Sequence, residues 1–170
     1  MPAQAAPSRG PQYVPLRNFY DSEGRLDYSL DGFDRKIDYD HNIAGKQEIV
    51  TDRRGFKTMM EYDSYGNVTT TLRELRDSNG TFLRWIKSES RFDTAGQNPS
   101  LPTSVTQYTN DGRAITTTMK YDGNGNVTEV VDPLNRKTVL TYTNSRVTTV
   151  QDQRAITKGY YTVRNQYDAQ

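Results

Sequence analysis

Glu61-Tyr62-Asp63-Ser64-Tyr65-Gly66-Asn67-Val68-Thr69 returns at 120–128 as Lys120-Tyr121-Asp122-Gly123-Asn124-Gly125-Asn126-Val127-Thr128. Both copies read Tyr-Asp-x-x-Gly-Asn-Val-Thr. Weaker copies start at Tyr20, Phe92, Tyr108 and Tyr142. A unit that recurs this way is the mark of a repeat architecture. The aromatic closes one extended run and the valine opens the next. Asp, Ser, Gly and Asn between them tolerate left-handed backbone or bond their own backbone in turns. Each unit therefore reads as strand, tight turn, strand.

A second signature lies between the hairpins. Asp132-Pro133-Leu134-Asn135-Arg136-Lys137-Thr138 leads to Tyr142, as Asp52-Arg53-Arg54-Gly55-Phe56-Lys57-Thr58 leads to Tyr62. From Tyr121 to Tyr142 the cycle takes 21 residues, enough for two strands and two turns. This cycle resembles the RHS/YD repeat of bacterial RHS proteins, toxin-complex shell proteins and teneurins. The resemblance is clear at 52–72 and 113–152 and loose at 19–50 and 73–108. It implies antiparallel hairpins joined into a curved single-layer sheet, an all-β segment of a shell or a solenoid-like arc. The repeat signature rests on Tyr62, Asp63, Gly66, Asn67, Tyr121, Asp122, Gly125, Asn126, Asp132 and Tyr142, all in structural roles.

Composition agrees with a thin sheet. Of 170 residues, 33% are hydrophobic, and Tyr supplies 12 of the aromatics. That is poor in Leu and Phe for a thick core and too regularly patterned for a disordered chain. A layer held by ladder bonds and cross-strand pairs fits. Net charge is +1 and no basic patch stands out, so nucleic acid is not an expected partner. Without cysteine there is no disulfide framework. No apolar run reaches the ~18 residues of a membrane span. Residues 1–7 lack the basic and apolar regions of a signal peptide.

Along the chain, residues 1–18 hold Pro2, Pro7, Pro11 and Pro15 and read as an arm or linker, with the repeat domain at 19–170. Strands are expected at about 25–30, 35–39, 46–51, 56–63, 67–76, 81–92, 113–121, 126–131, 136–143 and 146–151. Residues 94–102, with Gly96, Pro99 and Pro102, break the pattern and read as a surface loop inserted into the repeat. In the 81–92 strand, alternation puts Phe82 with Arg84 and Ile86, and Trp85 with Leu83 and Lys87. His41, the lone histidine, reads as an exposed turn residue. The stretch 155–167 is Tyr-rich and ends in Tyr167-Asp168, the opening of another unit.

Chemistry is harder to find. Asp122-Gly123-Asn124-Gly125-Asn126 begins like a calcium loop. The sixth and twelfth positions of an EF-hand would be Val127 and Pro133, so the match fails. No carboxylate pair is distinguished from the others, and no phosphate loop or nucleophile elbow is present. No catalytic residue, metal site or cofactor is expected. The family's self-cleaving segment is not found here, so that activity does not carry over. The reading is a non-catalytic scaffold of a bacterial secreted or surface protein. Its expected partners are further repeats, on the same or identical chains, through its sheet edges. An enclosed toxin is the cargo the resemblance implies. The competing reading is an adhesion module that takes a glycan or a surface partner on a Tyr/Trp-rich face, with Trp85 as the stacking platform.

Overall fold

The computed structural model describes residues 16–168. Thirteen strands form one sheet in chain order, each antiparallel to the next. They are β1 (Arg17–Tyr20), β2 (Leu26–Leu30), β3 (Lys36–Asn42), β4 (Gln47–Thr51), β5 (Lys57–Tyr62), β6 (Val68–Arg76) and β7 (Phe82–Phe92). Then follow β8 (Pro102–Tyr108), β9 (Ala114–Tyr121), β10 (Val127–Val131), β11 (Lys137–Thr143) and β12 (Arg146–Gln151). A short helix, α1 (Gln153–Lys158), precedes β13 (Val163–Arg164). The fold is all-β, as the hairpin reading predicts. Strand β1 takes in Arg17 and Asn18, which were expected in the arm; the rest of that arm, up to residue 15, lies outside the described residues.

A meander of this kind places successive connections alternately on two sides of the sheet. The turns at 21–25, 43–46, 63–67, 93–101, 122–126 and 144–145 line one side. Those at 31–35, 52–56, 77–81, 109–113 and 132–136 line the other, together with the α1 segment. Both Tyr-Asp octapeptides therefore stand in the first row, and the Asp-Pro-x-Asn turn stands in the second.

The cross-strand register sorts the side chains. Tyr39, Val50, Met60, Val105, Met119, Val130, Leu140 and Val150 fall on one face through directly opposed pairs. The other face carries ion pairs along and between strands, such as Lys120–Glu129–Lys137 and Lys87–Glu89. No second layer covers either face among the described residues. Among them, only Ala155, Ser29 and Asn67 are buried. Stability must therefore come from ladder hydrogen bonds and half-buried neighbour pairs on one sheet rather than from a sealed core.

Three local features depart from the sequence reading. Strand β7 carries a bulge at Leu83: Arg76 pairs with Phe82, and Leu75 with Arg84. The extra residue shifts the alternation and brings Phe82 onto the face of Trp85, where their rings meet edge to face at 5.8 Å. His41 is not a turn residue. It lies within β3 with 18% of its side chain accessible, and its Nε2 donates to the Leu26 carbonyl at 2.8 Å. In the Tyr-rich tail, Asp152 caps α1 by accepting from the Ala155 N–H at 2.7 Å, and Gly159 closes it in left-handed backbone.

Candidate functional site

The residues with the most organised chemistry are the turn aspartates. In the turn at 63–67 the Asp63 N–H donates to the Asn67 carbonyl at 3.0 Å, and the Gly66 N–H donates back to the Asp63 carbonyl at 3.3 Å. Asp63 Oδ1 then accepts from the N–H groups of Tyr65 (2.8 Å) and Asn67 (2.9 Å). The same four bonds form at Asp122, at 2.9 to 3.1 Å. They recur at Asp21, Asp31, Asp52, Asp77 and Asp132. The two signatures of the sequence are thus one turn, used on both sides of the sheet. Its fourth residue needs left-handed backbone: Gly66 and Gly125 sit at φ 81°, while Asn135 holds the equivalent place at φ 60°.

The charge of each aspartate is consumed locally. Asn126 donates to Asp122 from its side chain and its backbone, and these bonds hold the carboxyl below its ordinary value. The Arg136 guanidinium and backbone do the same for Asp132, with Nε 2.7 Å from Oδ2. Burial pushes Asp63 upward, but the donors of Asn67 and Tyr65 outweigh it and leave this group low as well. These are carboxylates pinned in the ionised form by structure, the reverse of a general acid.

The tyrosines of the first row have a matching device. Tyr121 Oη donates to the Pro102 carbonyl and Tyr142 Oη to the Val127 carbonyl, both at 2.8 Å. Tyr167 Oη reaches the Val147 carbonyl at 2.7 Å. Tyr121 and Tyr142 each tie the end of their strand to the start of the strand before it, and Tyr167, beyond β13, ties the tail to the start of β12. Tyr62 differs: its Oη reaches Met60 Sδ at 3.8 Å, as Tyr121 Oη reaches Met119 Sδ at 3.7 Å, but without a backbone carbonyl acceptor beside it. Burial raises the Tyr62 phenol pKa, with Glu48 adding to the effect. The signature threonines supply the bulges that follow these turns, at Thr69 and Thr128.

The inserted segment is not a free loop. It lies between the two octapeptide turns and is held by both. Asn67 Nδ2 donates to the Pro99 carbonyl at 2.9 Å, and Asn98 Nδ2 donates to the Asp122 carbonyl at 2.9 Å. Strand β8 begins at Pro102, the last residue of the expected loop. Trp85 is 37% exposed beside Phe82 at 48%, on a part of β7 that runs beyond the end of β8. Among the described residues, no group of three or more His, Asp or Glu is placed to hold a metal ion. No helix there is long and apolar enough to cross a membrane.

Residues 121–155 match the RHS Repeat family. The chain therefore carries an RHS repeat, where the second octapeptide and its Asp-to-Tyr segment lie. No curated protein matches it. Among solved structures, the chain is similar to the Photorhabdus luminescens Tc holotoxin pore with a TccC3 mutation (TM-score 0.42, 15% identity). It is also similar to a complex of TcdB2, TccC3 and Cdc42 (TM-score 0.44, 14% identity). Each alignment covers 82% of this chain and 8% of the other. The chain thus spans under a tenth of the length of those toxin chains.

Proposed function

We propose that the chain is a non-catalytic structural module, a stretch of repeat wall from a bacterial secreted or surface protein. Its terminal strands pair with further repeats of the same or identical chains. The observation that carries this reading is the 13-stranded meander, uncovered among the described residues, with β1 and β13 each paired there on one side only. An unpaired strand presents a row of N–H and C=O groups that invites another strand. The titratable groups support the same reading, because the turn carboxylates are spent on their own backbone. An enclosed toxin, lodged against the more apolar face, is the cargo that the RHS repeat suggests.

Negative-stain electron microscopy at several concentrations tests the reading. Tubes, filaments or rings are expected. Small particles of constant size at every concentration would contradict assembly through the edges. A second reading, glycan recognition, is favoured by one observation, the exposed Trp85–Phe82 pair. Binding on a carbohydrate panel, lost in Trp85→Ala without unfolding, would establish it.

A further inference from the structure

The regular turn is replaced by a helix at one place in the second row, and a cleft opens there. It lies between α1 and the turn at 132–136, with a volume of about 590 Å³, the size of small-molecule sites. Val130, Thr138 and Thr157 contribute apolar groups to its walls, as do the aliphatic stems of Arg154 and Lys158.

Four cations and two carboxylates line this cleft. Most are already engaged. Asp132 holds Arg136 through Oδ2, with Nη2 at 2.6 Å. Lys137 pairs with Glu129 at 3.0 Å. Asp152 accepts the Ala155 N–H. Arg154 and Lys158, one helical turn apart, are exposed and have no carboxylate partner among the described residues. Elsewhere in this row the turn arginines are paired: Arg35 with Asp31, Arg53 with Asp31 and Arg54 with Asp52. Lys158 has a structural reason for its place, since a cation suits the last turn of a helix. Arg154 has none, because a cation in the first turn opposes the helix dipole.

We propose that this cleft binds a small organic anion. A carboxylate or phosphate group sits between Arg154 and Lys158, and an apolar body lies against Val130 and Thr138. Charge complementarity selects the ligand: the unsatisfied groups are cations, and the wall behind them is apolar.

The test is an amide NMR titration of the full chain with benzoate, with benzyl alcohol and inorganic phosphate as comparators. Benzoate should give saturable shifts confined to residues 130–138 and 152–158. Benzyl alcohol, which lacks the charge, and phosphate, which lacks the body, should each bind at least tenfold more weakly. The double variant Arg154→Gln/Lys158→Gln should keep its amide spectrum elsewhere and lose benzoate at least tenfold. Benzoate shifts that spread over the sheet, or that survive the double variant, would overturn the site. Phosphate binding as tight as benzoate would overturn the part assigned to the apolar wall.

Discussion

The two copies of Tyr-Asp-x-x-Gly-Asn-Val-Thr fold into the same turn and then part company. Inside the turn, Asp63 and Asp122 make the same bonds, and each is followed by a threonine bulge. Outside it, Asn67 reaches 32 residues along the chain to the Pro99 carbonyl, while the Asn126 side chain stays on Asp122. The tyrosines also differ: both reach the methionine sulfur two residues back, but Tyr121 also bonds a backbone carbonyl. Eight letters determine the turn. The neighbour in the row determines what the turn then holds, and that neighbour is an insertion at 93–101.

The largest effect expected is common to both copies. Asp63 and Asp122 have lowered pKa values in the fold, as do Asp21, Asp31, Asp52, Asp111 and Asp132. A depressed carboxyl adds stability above its ordinary value, 3.8 for Asp, which is lost as pH falls through the depressed one. Urea midpoints should therefore be level from neutral pH down to about pH 5 and fall steeply below about pH 4. Asp63→Asn and Asp122→Asn should each flatten that fall by a similar amount. A large inequality would break the equivalence of the two turns.

The asparagines should separate the copies. Asn67 is 9% exposed, and Asn67→Ala leaves the Pro99 carbonyl without its donor, a loss of about 1–3 kcal/mol. Asn126→Ala removes only a local bond and should cost about 1 kcal/mol or less. Urea unfolding of both variants checks the order. Gly66→Ala and Gly125→Ala should then cost the same, about 1–2 kcal/mol each, because both force Cβ into left-handed backbone. Around Gly66 there is open space, and around Gly125 the nearest atoms stand at 3.4 Å, so packing adds little to either. Smallest of all, Tyr121→Phe should cost about 1 kcal/mol and Tyr62→Phe less than about 0.5 kcal/mol. An equal cost would mean that Tyr62 gains as much from Glu48 as Tyr121 gains from the Pro102 carbonyl.

The octapeptides, their turn positions and most strands are legible in the sequence because those features are local. A Gly or Asn that must sit at positive φ, an Asp two residues before a donor and an alternating run all declare themselves within ten residues. The bulge at Leu83 does not, because a bulge exists only relative to the opposite strand. The docking of Asn67 on Pro99 does not either, since nothing local links residues 32 apart. His41 looked like a turn residue because the asparagine after it begins the turn, with Asn42 Oδ1 accepting the Gly45 N–H. The helix was within reach: Asp152 as cap, Ala155 inside, Lys158 in the last turn and Gly159 after it form a full set of helix signals.

The central claim is that this sheet is built to be continued at its edges. Amide hydrogen exchange followed over a concentration series tests it most directly. Protection of β1 and β13 amides should rise with concentration, while the interior strands β4 to β10 stay as they are. Edge amides that exchange equally fast at every concentration would contradict the claim.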